Sequence, residues 1–323
     1  MTLDIIDSAT GLAAFQPEWS SFTARLSGQT PFQTPEWLTT WWRNFGSGLL
    51  RVFVFRERAQ IAGIIPCFLH LWQGCRQLTL IGSGISDYLE PAISPNQSSS
   101  VLELLESHLR TNPDWDLCNW QDLSLDTPIR RIASAVRDDT PCWSVALTGS
   151  FDQYWASRSK SLRQNVRRDR QKAESQGSLE FAVTSKADPE PLNALIGLHA
   201  ARWQQRGEPG MIQANRSAAF LRDIAGQFAE RDRLRIFYLR FNGEIAAVIC
   251  GICYANTLFN YLTAFDPEHA SLGLGRTLLY ESVRYCFENG YKAWDFLRGD
   301  EPYKAWWDAG AIPKCRVIVK HTA

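Results

Sequence analysis

Arg51-Val52-Phe53-Val54-Phe55-Arg56, then a short charged turn, then Ile61-Ala62-Gly63-Ile64-Ile65: this pattern occurs twice in the chain. Its second copy is Arg235-Ile236-Phe237-Tyr238-Leu239-Arg240 followed by Ile245-Ala246-Ala247-Val248-Ile249, at the same internal spacing. Each copy reads as a β-hairpin, because β-branched and aromatic residues fill both runs and a polar turn parts them. A further strand follows in each half, Leu78-Thr79-Leu80-Ile81-Gly82 and Leu258-Phe259-Asn260-Tyr261-Leu262. Helices then come around Val101 to Leu109 and Gly275 to Glu288, and each precedes a strand opening with a similar triplet, Trp115-Asp116-Leu117 and Trp294-Asp295-Phe296. A repeated unit of one supersecondary pattern is the simplest account. The expected fold is therefore α/β (α+β): tandem units with mixed, mostly antiparallel sheets flanked by helices. The expected division is 1–150 and 151–323.

Between the copies lies a different segment. Phe151 to Gln176 reads as a helix with Phe151, Trp155, Leu162 and Val166 on one side. A dense basic set, Arg158, Lys160, Arg163, Arg167, Arg168, Arg170 and Lys172, is broken by Asp169, and Gly177 ends the run. A second helix from about Pro191 to Arg206 carries Leu192, Leu195, Ile196, His199 and Trp203 in one stripe, and a third spans about Ser217 to Glu230.

Composition limits the function. Lys+Arg and Asp+Glu both total 34 in 323 residues, so no global field draws in nucleic acid or a membrane. Any electrostatic role must come from a local cluster such as the basic helix. Thirteen tryptophans against two methionines suggest aromatic-lined cores or a pocket for a bulky ligand. The N-terminus has no basic residues before an apolar run, unlike a signal peptide. The uncharged stretch from Ile245 to Phe265 is long enough to span a bilayer, but Asn256, Thr257 and Asn260 interrupt it, so it reads as two strands. A soluble, cytoplasmic protein is expected. The eight scattered cysteines are read as free thiols, and Cys250 and Cys253, at C-x-x-C spacing, point to opposite faces of a strand. No metal is expected.

A glycine-rich turn between a strand and an amphipathic helix can hold a phosphate, because glycine lets the backbone approach and the first helical amides point at the anion. Here Leu258 to Phe265 leads to Ser271-Leu272-Gly273-Leu274-Gly275-Arg276 and a helix with Leu278, Leu279, Val283, Cys286 and Phe287 on its buried side. By itself the G-x-G is a weak signal.

That turn and its helix resemble the acyl-CoA pyrophosphate loop of the GNAT superfamily, Arg/Gln-x-x-Gly-x-Gly/Ala. More closely, the chain resembles the FemAB-like, CelD-associated branch of GNAT-superfamily N-acetyltransferases, which carries two GNAT-type units. The resemblance rests on Pro31 to Trp37, Ser161 to Arg168, Leu198 to Trp203 and Trp294 to Lys304. It implies an N-acyltransferase moving an acyl group, acetyl first, from acetyl-CoA or another acyl-CoA to a small-molecule amine or an envelope-polysaccharide precursor. Gly273, Leu274, Gly275 and Arg276 are the implied donor contacts. His199, Asp295 and Tyr303 are the catalytic candidates, although the family spacing to Gly310 selects Trp306 in place of Tyr303. Asp87, Tyr88, Trp203, Arg298 and Lys304 are candidates for the acceptor site. A structural reading stands beside each: a core histidine for His199, an Asp295–Arg298 pair, a plain turn at Asp87 and Tyr88. Ala270 departs from the family pattern, where Arg or Gln stands. In the first half no G-x-G-initiated helix follows Gly82-Ser83-Gly84, so that unit is expected not to bind donor. Two other readings stand: an aminoacyl-tRNA-dependent FemAB-type transferase, and a non-catalytic accessory protein of exopolysaccharide or cellulose synthesis. Nothing in the sequence reports the oligomeric state.

Overall fold

The computed structural model describes residues 1–206 and 215–321. In chain order the elements are β1 (Thr2–Ile6), α1 (Ala9–Thr23), α2 (Pro35–Phe45), β2 (Leu49–Glu57), β3 (Gln60–Trp72), β4 (Cys75–Leu80), β5 (Ala92–Ile93), α3 (Ser98–Thr111), β6 (Leu117–Ser124) and β7 (Ala135–Ala146). There follow α4 (Phe151–Ser157), α5 (Lys160–Gln176), β8 (Leu179–Thr184), α6 (Pro189–Arg206), α7 (Asn215–Ala229), β9 (Leu234–Phe241), β10 (Glu244–Tyr254) and β11 (Thr257–Phe265). The chain closes with α8 (Leu274–Glu288), β12 (Ala293–Arg298), α9 (Tyr303–Trp306) and β13 (Gly310–Lys320). Two compact units result. Unit 1 is Met1–Thr140 with Pro313–Ala323, and unit 2 is Pro141–Ile312. The last residues, grouped with the second unit on sequence, thus return to the first.

Each unit is built on a mixed, mostly antiparallel sheet. In unit 1 the order is β1-β2-β3-β4-β6-β13, with β5 paired to β3; in unit 2 it is β7-β12-β11-β10-β9-β8. One pair in each is parallel, β4 with β6 and β11 with β12. The core of unit 2 gathers Phe237, Leu239 and Ile249 from the sheet, Leu278 and Val283 from α8, Trp294 and Phe296 from β12, and Leu162 and Val166 from α5. Burying such large apolar side chains stabilises the unit by about 1.5–3 kcal/mol each. Among the described residues no helix is long and apolar enough to cross a membrane. The Ile245–Phe265 stretch forms parts of β10 and β11, joined at Ala255 and Asn256 with positive φ.

The duplication extends to an irregularity. In unit 1, Phe55 faces Gly63 but Arg56 faces Ile61, so Ala62 is an extra residue on β3. In unit 2, Leu239 faces Ala247 but Arg240 faces Ile245, so Ala246 is extra on β10. The two bulge residues are equivalent in the repeat, and each carbonyl takes a bond from the residue just past the strand paired beside it: Ser94 N to Ala62 O and Asp266 N to Ala246 O, both 2.8 Å. A bulge kept at one place in both copies is a built feature.

Other expectations change. The segment Phe151–Gln176 is two helices, because Arg158 is extended and Ser159 caps α5 by accepting from Leu162 N. The Trp-Asp triplets are not equivalent. Leu78 pairs with Cys118, and its counterpart Leu258 pairs with Trp294, so Trp115 falls three residues early. A physical test follows from the bulge. Deleting Ala246 should join Ile245 and Ala247 into an unbroken ladder on Arg240 and Leu239, straighten the local bend and remove the carbonyl that Asp266 N reaches. The expected cost is about 1–3 kcal/mol, read as a lower urea midpoint.

Candidate functional site

The two parallel pairs are short, and what happens beyond them separates the units. In unit 2, β11 and β12 bond only over Thr257–Phe259 and Ala293–Asp295. Beyond that, β11 continues along β10 to Phe265 and β12 continues along β7 to Arg298, so the strands part at their C-terminal ends. In unit 1, β4 and β6 part in the same way after Leu78 and Cys118. There the chain fills its own gap: Leu89 N donates to Asp122 O at 3.1 Å, and Glu90 Oε2 accepts from Ser124 N at 3.1 Å.

From the end of β11, a 3-10 turn (Pro267–Leu272) leads to Gly273, which is left-handed (φ 64°) and starts α8. The amides of Leu274 and Gly275 open the helix and have no intrahelical carbonyl to reach, so they are available to an anion. Both glycines also have a packing reason. A Cβ on Gly275 would lie 3.0 Å from the Phe265 ring, and one on Gly273 would lie 2.2 Å from Asp169 Oδ2.

Asp169 decides how α5 meets this turn. Its buried carboxylate accepts from Arg276 Nη1 at 2.8 Å. One turn later Lys172 Nζ donates to Ser271 O at 3.0 Å, and Arg170 Nη1 donates to Glu281 Oε1 at 2.6 Å. The only acid within the basic run is thus a bolt between α5 and α8. Arg276, expected to hold donor, has one nitrogen committed to it. On the flank of α5 beside the turn stand Lys172 and, four residues earlier, the 71% exposed Arg168.

A second group gathers around Arg202. Its guanidinium lies 4.6 Å from the centre of the Phe265 ring. Its charge also acts on His199, one turn earlier on α6, and on Tyr303. His199 is buried at 4% exposure; burial, reinforced by Arg202, pulls its pKa down to about 4. The ring is therefore neutral near pH 7 and a weak base. Burial, with help from Glu301, pushes the Tyr303 hydroxyl well above its ordinary range, so it keeps its proton and can donate it. Tyr303 sits edge-on to Phe296 at 6.0 Å, whereas Trp306 is largely exposed.

Asp295 lies between Trp294 and Phe296, which join the core beneath α8, so strand alternation turns it to the opposite face. It is buried, and its Oδ1 accepts from Leu297 N at 2.7 Å, holding a bulge in which Leu297 has φ 60°. Lys304 has a different job from substrate binding. Buried at 2% exposure, its Nζ donates to the carbonyls of Leu297, Arg298 and Gly299 at 2.9–3.1 Å and meets Glu301 at 3.0 Å. Such an ammonium fixes the end of β12, where Arg298 pairs with Cys142. Asp87 and Tyr88 belong to unit 1, in the segment that fills its gap; Tyr88 is buried, with Lys314 Nζ 4.1 Å from its ring centre. The Trp203 side chain lies outside the described residues. Sequence reading passed over Arg202 and gave Asp169 no role. The signals were Arg202 three residues after His199 and a lone acid in a basic run.

Comparison with known proteins agrees with this architecture. Residues 160–305 match the acetyltransferase (GNAT) domain family model. No curated protein matches in sequence. The solved structure of FemX superposes with TM-score 0.67 at 11% identity, covering 99% of this chain and 98% of that one. L-PGS from Bacillus licheniformis gives 0.57 at 15% identity, over 93% and 95% of the two chains. A tandem GNAT protein from the clavulanic acid biosynthesis pathway gives 0.51 at 12%, over 100% and 99%.

The state of His199 has a measurable consequence. Its ordinary pKa of 6.5 holds in the unfolded chain, against about 4 in the fold. Between those values the unfolded state binds more protons, so stability should be full above about pH 7 and fall as the pH drops toward 4. Urea midpoints should show that slope in the native chain and a flatter one in His199→Gln.

Residues 160–305 thus match a GNAT acetyltransferase domain, and the superpositions show that the whole chain shares the fold of FemX and of a tandem GNAT protein.

Proposed function

We propose that this chain is an N-acyltransferase that moves an acyl group, acetyl first, from acyl-CoA to an amine of a small molecule or envelope-polysaccharide precursor. The observation that carries the reading is the parting of β11 from β12 at the end where α8 begins. Two opening amides, the helix dipole and the flank formed by Arg168 and Lys172 suit a diphosphate there. Lys172 and Arg168 would supply the charge that Ala270 lacks. Unit 1 would bind no donor, since residues 82–91 fill its gap.

The reaction needs three things from the chain. The amine must be uncharged when its nitrogen attacks the thioester carbonyl. The carbonyl oxygen needs donors as the C–N bond forms. The sulfur needs a proton as the C–S bond breaks. Tyr303, protonated through the neutral range, is the proposed proton donor to sulfur, and the proton that the nitrogen sheds as the amide forms returns to the phenol directly or through water. His199 is too weak a base to take a proton from an ammonium, and its proposed task, with Asp295, is to orient the acceptor. Arg298 remains a proposed acceptor contact.

A second reading is transfer of an aminoacyl group from charged tRNA. Lys160, Arg163 and Arg167 favour it: they are exposed on the face of α5 away from the core, and no acid pairs with them among the described residues. A third reading is a non-catalytic accessory protein of exopolysaccharide or cellulose synthesis, favoured by Ala270 at the position where the family loop has Arg or Gln.

Thermal melting separates these readings, because a ligand that binds only the native state raises the melting temperature. Acetyl-CoA at millimolar concentration should raise it. Arg168→Glu, an exposed change, should weaken binding about tenfold, or about 1.4 kcal/mol, and Gly275→Glu should abolish it. No shift with acetyl-CoA but a shift with charged tRNA would overturn the donor assignment.

A further inference from the structure

The repeat allows the two units to be compared side chain by side chain at the far end of their long helices. Arg51 Nη1 donates to Leu50 O at 3.0 Å, and Arg235 Nη1 to Leu234 O at 2.7 Å. Phe53 meets His108 edge-on at 5.5 Å, and Phe237 meets Tyr285 edge-on at 5.4 Å. Asn112 Nδ2 closes α3 on His108 O at 2.8 Å, and Asn289 Nδ2 closes α8 on Tyr285 O at 2.8 Å. The following strands start alike, with Asp116 N on Arg76 O and Lys292 N on Asn256 O. Trp115 is therefore the counterpart of Tyr291, and Leu69 of Cys253.

At that point the copies differ. In unit 2 the Tyr291 hydroxyl lies 3.1 Å from Cys253 Sγ and fills the space between helix end and sheet. In unit 1, Leu69 offers no polar partner. The Trp115 indole instead donates to Leu109 O at 3.0 Å and stands edge-on to His321. A cavity of about 250 Å³ is left.

Its walls have two characters. The floor is apolar and buried: Phe53, Leu69, Leu78 and Leu109. The rim carries Asp7, Asp114 and Arg51. Arg51 Nη2 is 3.4 Å from Asp114 and offsets it, while Asp7 has no ion pair among the described residues. Burial lowers the pKa of His108, so it adds no positive charge near neutral pH. The rim is thus net negative, and the C-terminal end of α3 adds partial negative charge. A carboxylate ligand would meet repulsion there. A cation with an apolar body would find charge at the mouth and a dry floor.

We propose that this cavity in unit 1 binds a small organic amine, its ammonium at Asp7 and its hydrocarbon body on Phe53, Leu69 and Leu78. The proposal is independent of the donor assignment in unit 2.

Three probes of one shape test it without CoA: phenethylamine, 2-phenylethanol and phenylacetate, each followed by melting and calorimetric titration of the full chain. Phenethylamine should raise the melting temperature and the other two should not. Asp7→Asn, an exposed change, should weaken the amine several-fold, and Leu69→Trp should abolish binding by filling the floor. Should Leu69→Trp fail to fold, Asp7→Asn still decides. An equal shift with the alcohol or the acid, no shift with the amine, or full affinity in Asp7→Asn would overturn the proposal. Unchanged amine binding in Arg168→Glu keeps its outcome separate from that of the donor site.

Discussion

Two parallel strands that bond for three residue pairs and then part are the constraint on which unit 2 depends. Each stays in its sheet through its other neighbour, β11 through β10 and β12 through β7, so the gap costs no strand. Yet backbone groups along the parting edges need partners. Unit 1 meets the same geometry with its own chain, through Leu89 on Asp122 and Glu90 on Ser124. In unit 2 the chain instead turns at once into Gly273 and α8. The difference between a filled and a fillable gap is thus a difference in the length of one connection.

The glycine turn answers to two demands at once. Close packing alone requires Gly273, which faces Asp169, and Gly275, which faces Phe265. Their presence is therefore weaker evidence for phosphate than the motif suggests. The stronger feature is the company they keep. Asp169 and Lys172 hold a basic helix against the turn, and Arg168 stays in solvent beside it. Removing Asp169 would leave Arg276 without its partner and loosen that arrangement, in the way a broken buried pair does.

The repeat was legible because strand patterning and turn spacing are local properties. They located both hairpins, the helices after them and the two strands between Ile245 and Phe265. The break at Arg158 was not legible, since the seventeen-residue basic helix α5 and the seven-residue helix α4 before it share one apolar stripe. The Trp115 and Trp294 triplets misled because similar letters fell at different registers, which only the strand ladder fixes. At the site, the sequence pointed to His199, Tyr303 and the glycines, and it named Lys304 for substrate. That ammonium serves three carbonyls of its own chain, a contact made by the fold of a bulged strand and invisible in spacing. Asp169 and Arg202 act across elements, so their local signals, a lone acid in a basic run and a cation one turn after His199, did not reveal their partners.

Amide hydrogen exchange along α8 tests the central claim most directly. The amides of Leu274 and Gly275 open the helix, so they should exchange fast in the free protein. With saturating acetyl-CoA, exchange over residues 273–276 should slow, while the middle of α8 changes little. Stabilisation by acetyl-CoA with no slowing at those amides would contradict the account, because the donor would then lie elsewhere.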